Sequence, residues 1–162
     1  MSCLVIIEQE EGLPNRPSLA TITAAIEIGG DVDLLVLDPA KTDEIIKIKG
    51  IRTVLTFKEK QIKILAESFT DFLTNIVKDY EYILSPSGTF SKNFMPRLAS
   101  ILDVQPISDV IKIHSKDTFD RPIYAGNAIA TVKSKDKIKM LTIRGTAFQP
   151  KDYVDNSASI SI

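Results

Sequence analysis

The chain has 162 residues, 44% of them hydrophobic and 25% charged, with a formal net charge of -1 at pH 7 and an isoelectric point near 5.9. That length suits one domain with a sizeable core, and the balanced charge excludes the basic excess that marks nucleic-acid binding or attraction to an anionic membrane. The single cysteine, Cys3, excludes an internal disulfide framework and fits a reducing compartment, and no apolar run approaches the roughly 20 residues that span a bilayer.

Cys3 to Ile7 form a continuous apolar run of strand length, and Met1 to Ile7 carry neither a basic leader nor an arginine-rich presequence. Gly12, Pro14 and Pro17 break the next stretch into a loop; Ser18 is then expected to cap a helix whose packed side is Ala20, Ile22, Ala24, Ala25 and Ile28, stopped by Gly29-Gly30. Val32 to Leu37 make a second strand, and Asp38-Pro39 turn the chain. Thr42 is expected to cap a short helix carrying Ile45, Ile46 and Ile48, ended by Gly50, before Thr53 to Phe57 supply a third strand. Ile62, Leu65, Ala66, Phe69, Leu73, Ile76 and Val77 recur at steps of three and four, the clearest helical stripe in the chain.

Tyr82 to Leu84 predict a fourth strand. A small-residue loop, Ser85 to Thr89, leads into a second stripe of Phe94, Leu98, Ile101 and Leu102, where Pro96 is expected only near the first turn. Val110 to Ile113 read as a further strand. Strand and helix alternating at this spacing predict right-handed crossovers and a Rossmann-like three-layer α/β sandwich with a mainly parallel sheet. Beyond His114 the pattern changes. Ile123 to Val132 and Ile138 to Ile143 are expected to pair as a C-terminal antiparallel hairpin, because Lys133 to Lys137 are too few for a parallel crossover. Pro150 to Ile162 have no periodic core and read as a linker or tail, which sets the domain at residues 1–149 and the tail at 150–162.

No catalytic centre emerges from these runs. His114 is the sole histidine and reads as a surface residue, because no second ligand accompanies it. Asp103 and Asp109 sit in loop context, where turn bonding is favoured over a carboxylate pair. Ser87, Gly88, Thr89 and Lys92 lack the P-loop order and leave two readings open, an anion loop at a strand's carboxyl end or a cap for the next helix. Cys3 has no basic neighbour to activate it. Arg97 reads as an internal brace, whereas Arg121 and Tyr124, with Asn127 and Arg144, are the candidates for contact with a second polypeptide, since Arg and Tyr are enriched at interfaces.

Several words recur together in one order: Ser91-Lys92-Asn93-Phe94-Met95-Pro96-Arg97, Leu102-Asp103-Val104, Ile107-Ser108-Asp109, Asp117-Thr118-Phe119, Arg121-Pro122-Ile123-Tyr124-Ala125-Gly126-Asn127-Ala128 and Arg144-Gly145-Thr146-Ala147-Phe148. On these the stretch from Cys3 to Phe148 resembles the N-terminal domain of the alpha subunit of electron transfer flavoproteins. The resemblance implies a Rossmann-like fold of the adenine-nucleotide hydrolase-like group and a heterodimer with a beta subunit that carries a structural AMP. It also implies an electron carrier, with no catalytic centre of its own, between acyl-CoA or other dehydrogenases and a membrane quinone oxidoreductase. FAD is implied in the complete heterodimer, held mainly by a C-terminal alpha domain, and none is expected in this chain alone. The implied location is the bacterial cytoplasm or the mitochondrial matrix, without membrane insertion or nucleic acid. The alternative is a stand-alone adenine-nucleotide-binding module built on the loop from Ser85 to Lys92.

Overall fold

The computed structural model describes residues 1–60, 64–150 and 158–161. Strand β1 (Ser2–Ile6) is followed by the two-residue strands β2 (Gln9–Glu10) and β3 (Leu13–Pro14) and by helix α1 (Arg16–Ile28). Then come β4 (Asp31–Val36), the short helix α2 (Thr42–Ile45), β5 (Thr53–Thr56), α3 (Ala66–Ile76), β6 (Tyr82–Pro86) and α4 (Thr89–Ile101). The chain continues through β7 (Pro106–Val110), β8 (Lys112–Ser115), β9 (Thr118–Ile123), β10 (Ala128–Lys133), β11 (Lys139–Ile143) and β12 (Ser159–Ser161).

Seven strands form one sheet in the order β12-β5-β4-β1-β6-β11-β7, parallel throughout. Its central strands are apolar on both faces because both are covered. Along β1, Cys3 and Val5, with Ile7 beyond the strand, enter a core with α1, α2 and Phe119, while Leu4 and Ile6 enter a second core with α3 and α4. Phe69 of α3 meets Phe94 of α4 edge to face at 5.0 Å, and Phe90 lies 5.0 Å from Phe94, so aromatic packing joins those helices. Burial pushes the Cys3 thiol up to about 12, which keeps it an inert core residue.

The polar residues retained inside this sheet are paired. Near the amino ends of β4 and β5, buried Asp33 receives Arg52 Nε at 2.9 Å and the Tyr80 hydroxyl at 2.7 Å, and Arg52 also reaches Asp31 at 2.7 Å. Burial pushes the Asp33 carboxyl up, but the hydrogen bonds from Arg52 and Tyr80 outweigh it and hold the group below the ordinary carboxylate value.

Several expectations are corrected here. Asn15, not Ser18, caps α1: its side chain accepts from the Ser18 N–H at 3.0 Å, which places Pro17 in the first turn, where its missing N–H costs nothing. The short helix after Asp38 starts with a 3-10 turn capped by Asp38, and Thr42 donates back to the Pro39 carbonyl at 2.9 Å. Helix α3 begins at Ala66, and the expected contribution of Ile62 lies outside the described residues. Pro96 sits inside α4, beyond the first turn, leaving the Lys92 carbonyl without its helical donor on the exposed face. The expected strand from Val110 to Ile113 divides at Ile111 into β7 and β8.

The largest correction concerns the hairpin. Residues 123–132 and 138–143 do not pair. β10 pairs antiparallel with β9, with Ala128 opposite Ile123 and Lys133 opposite Thr118, and β8 completes a three-stranded sheet. β11 instead inserts between β6 and β7 of the main sheet, parallel to both. The crossover from β7 to β11 is thus made by a small antiparallel sheet where a helix is usual. In the expected tail, Ser159–Ser161 form the edge strand beside β5, and residues 151–157 and 162 lie outside the described ones.

Replacing Arg52 by Met would remove two of the N–H donors to the Asp33 carboxylate, one at each oxygen. The expected cost is about 2 kcal/mol, below the roughly 3–5 kcal/mol of a fully buried pair because Arg52 is half exposed. A carboxyl depressed by folding adds stability that is present above its unfolded pKa and lost as pH falls through the folded one. The variant should therefore unfold at a higher pH than the parent on acid titration followed by circular dichroism. An unchanged acid midpoint would remove Asp33 from that role.

Candidate functional site

The direction of chain winding reverses between β1 and β6. β1 leads through α1 toward β4 on one side, and β6 leads through α4 toward β7 on the other. Open parallel sheets place ligands and partners outside the carboxyl ends of their strands at such a point. Here that edge is built by the loop after β1, the loop after β6 and the ends of β4, β11 and β7.

Two buried hydroxyls set the β6 loop. Ser85 donates to the Ile6 carbonyl at 3.0 Å, so the 2.5 Å contact between Ser85 and Ser91 takes its proton from Ser91. The relay joins β1, β6 and the first turn of α4. Beyond it, the Ser87 N–H donates to the Ile143 carbonyl and the Gly88 N–H to the Pro86 carbonyl, both at 2.8 Å. Two loop amides are therefore spent on main chain. Gly88 starts α4 without a side-chain cap, and Thr89 and Lys92 are exposed.

What faces Gly88 is a carboxyl group. A Cβ at Gly88 would stand 2.8 Å from Glu8 Oε1, so glycine leaves the room that Glu8 occupies. The Glu8 backbone is locked: its N–H donates to Ser18 Oγ at 2.8 Å, and its carbonyl accepts from Ser18 Oγ at 2.9 Å and from the Asn15 N–H at 3.0 Å. Its Oε1 is buried without a hydrogen-bond partner. Burial raises the Glu8 carboxyl above its ordinary value, against the lowering effect of Asn15. A phosphate in this loop would meet that carboxyl, so the geometry counts against the anion-loop reading of Ser87, Gly88, Thr89 and Lys92.

Arg144 and Asp109 close the other side of the edge. Arg144 Nε lies 3.1 Å from each Asp109 oxygen, and its Nη2 also bonds Oδ2. The Arg144 bond lowers the Asp109 carboxyl against burial, with Ser87 and Lys92 adding to the effect. Asp109 holds a positive φ of 62°, and its N–H donates to Thr142 Oγ1 at 2.9 Å. Arg144 therefore belongs with Ser87 and Lys92, and Asp109, expected in a loop, lies on β7 as the partner of that salt bridge.

Arg121, Tyr124 and Asn127 lie on the antiparallel sheet. Arg121 reaches Ser108 Oγ on β7 at 2.9 Å and keeps a buried Nε without a partner. Tyr124 is 80% exposed at the tip between β9 and β10, where Tyr124 and Ala125 both take positive φ, 50° and 53°. Asn127 is exposed beside them. Arg97 is exposed on α4, which does not fit the expected internal brace. His114 lies on β8 with Nε2 at 2.8 Å from Asp120, a surface pair. Among the described residues no group of three or more His, Cys, Asp or Glu is placed to hold a metal ion, and no helix is long and apolar enough to cross a membrane.

A family model described as electron transfer flavoprotein domain matches residues 3–161. The chain is 38% identical over 164 residues to the electron transfer flavoprotein subunit alpha of Pseudomonas aeruginosa and 41% identical over 152 residues to that of Paracoccus denitrificans. It is 36% identical over 171 residues to the mitochondrial alpha subunit of Dictyostelium discoideum. These alignments cover 99%, 91% and 98% of this chain and 53%, 49% and 48% of the relatives. The chain spans about half the length of the curated relatives it matches.

The hydroxyl relay makes an ordered prediction. Ser85→Ala removes the hydroxyl that accepts from Ser91 and donates to Ile6, and should cost about 1–2 kcal/mol in urea unfolding. Ser91→Ala leaves the Ser85 bond to Ile6 intact and should cost less. The reverse ranking would reassign the proton between the two oxygens.

Proposed function

Because the chain belongs to the electron transfer flavoprotein family, we propose that it is the N-terminal domain of an alpha-type subunit, a structural domain that binds a beta subunit. In the complete heterodimer, FAD would carry electrons from acyl-CoA and other dehydrogenases to a quinone oxidoreductase. The domain contributes no catalytic centre and no flavin site of its own, and it takes in Ser159–Ser161, which pair with β5 at the edge of its sheet. Its place is the bacterial cytoplasm or the mitochondrial matrix, in keeping with bacterial and mitochondrial relatives.

The observation that carries the partner reading is the tip between β9 and β10. An aromatic side chain 80% exposed on two consecutive positive-φ residues gains nothing from its own fold, and Tyr is a residue type that anchors interfaces. Ile129 on β10 is 62% exposed and extends the apolar surface. In this reading Tyr124 and Asn127 meet the beta subunit directly. Arg121 holds β9 on β7 and presents the tip, while Arg144 contributes from the sheet edge.

The competing reading, a stand-alone adenine-nucleotide module, is disfavoured by the carboxyl of Glu8 against Gly88 and by the two spent amides of its loop. A ligand present at 100 times its dissociation constant adds about 2.7 kcal/mol of stability. Titration with AMP, ADP and ATP should leave the thermal midpoint unchanged, and a saturable rise with any of them would restore the module.

Two further outcomes test the main proposal. Tyr124→Asp should leave the thermal midpoint unchanged and weaken binding to a beta subunit at least about tenfold by calorimetry; unaltered affinity would withdraw the tip from the interface. After incubation with FAD and desalting, this chain should show no flavin absorbance, and adding a beta subunit should not give dye reduction with an acyl-CoA dehydrogenase. A stoichiometric flavin band on this chain alone would place the cofactor site here.

A further inference from the structure

The two larger sheets end in four strands, β12 and β7 in the seven-stranded sheet and β10 and β8 in the three-stranded one. A sheet edge left free is a template for another chain unless it is short, broken by a bulge or proline, or charged. β12 has only three residues. β7 opens on Pro106 and shifts register against β11, and β8 shifts register against β9 and exposes Lys112 and His114. β10 has none of these protections: its six residues pair with β9 in unbroken register, without proline, and its one charge is at the last position, Lys133. Ile129, Thr131 and Val132 are β-branched, the type that favours extended backbone.

The hydrogen-bond phase of the ladder says which groups that edge offers. Opposite residues of an antiparallel pair alternate between bonded and non-bonded. The Ser134 N–H donates to the Asp117 carbonyl at 2.8 Å, in the register that sets Lys133 opposite Thr118, so the even-numbered residues of β10 bond to β9. The other side of β9 agrees: the Asp120 carbonyl accepts from the Ile111 N–H at 2.9 Å, which turns the Asp120 main chain toward β8. The N–H and C=O groups of Ile129, Thr131 and Lys133 therefore point away from β9, and among the described residues no strand lies beyond them. The neighbouring side chains leave this edge clear. Thr131 Oγ1 turns back to Asp120 at 2.7 Å and Lys133 Nζ to Asp117 at 3.3 Å, while Ile129 stands 62% exposed beside it.

We propose that an extended segment of the beta subunit adds to β10 as a fourth strand of the antiparallel sheet. Its main chain bonds to Ile129, Thr131 and Lys133, and an apolar side chain of the segment packs on Ile129. This inference rests on the reading that the domain binds a beta subunit, and it states how. The edge continues the tip, since β10 begins four residues after Tyr124. A second copy of this chain fits the edge less well. Two-fold pairing of β10 with itself about Thr131 sets each Ile129 opposite a Lys133, an apolar side chain against a cation, whereas a segment of different sequence escapes that mismatch.

Amide hydrogen exchange of this chain, alone and with a purified beta subunit, tests the pairing directly. Alone, the Ile129, Thr131 and Lys133 amides should exchange quickly and those of Ala130 and Val132 slowly; the beta subunit should slow the first three about tenfold or more. Protection without that alternation, or none in a complex that calorimetry shows to form, overturns the edge pairing and leaves the tip to be judged by Tyr124→Asp. Concentration-dependent protection of the same three amides in the chain alone assigns the edge to a second copy and also overturns it. Two variants give an independent arm. Thr131→Ala and Thr131→Pro both lose the bond to Asp120, but only proline removes the outward N–H, a replacement that sheet edges tolerate. The alanine variant should bind the beta subunit within about twofold of the parent and the proline variant about tenfold or more weakly. Equal affinities in two folded variants would overturn the proposal, and failure of the parent chain to bind any beta subunit would withdraw the partner reading itself.

Discussion

Cys3, Leu4 and Val5 stand in parallel register with Tyr82, Ile83 and Leu84 at the centre of a sheet buried on both faces. No water reaches these strands, so each backbone group must bond along the sheet and each side chain must pack above or below it. That requirement sends α1 and α2 to one face and α3 and α4 to the other. Because the winding changes direction at this pair, the loops after β1 and β6 face each other across the carboxyl edge. Ser85 and Ser91 then bolt α4 to the Ile6 carbonyl, and the position of Gly88 against Glu8 follows from that attachment.

The acidic groups of the sheet edges divide by whether a cation reaches them. Asp33 has Arg52, Asp38 has Lys60 and Asp109 has Arg144, and each of these carboxyls is held below its ordinary value. The exposed partners limit what the outer pairs contribute to stability, because solvent screens them. Glu8 differs: no cation among the described residues pairs with it, and burial pushes its carboxyl the opposite way against the hydrogen bond from Asn15.

The antiparallel sheet of β8, β9 and β10 supplies the crossover from β7 to β11. One side of it is anchored, through Phe119 in the core and Arg121 on Ser108. The other side carries Tyr124 and Ile129 into solvent. This division explains how an element can be firmly attached and still present strained backbone at its tip, since the attachment supplies the stability that the positive φ angles of Tyr124 and Ala125 consume.

Much of the architecture was legible in the sequence. The apolar runs of β1, β4, β5 and β6, the helical spacing of α3 and the Gly29 stop of α1 are local signals, fixed by side-chain periodicity and by backbone freedom. The family words from Ser91 to Phe148 were equally plain, and they carried the resemblance. Local pattern could not decide which strand pairs with which. Residues 139–143 read as extended wherever they lie, and only the open position between β6 and β7 made them a central parallel strand and left residues 128–133 to β9. Nor could it join Asp109 to Arg144, 35 positions apart, or place Glu8 beside Gly88. Composition and periodicity determined the elements and their layers; the tertiary structure alone decided strand order and charge pairing, because both depend on contacts between segments distant along the chain.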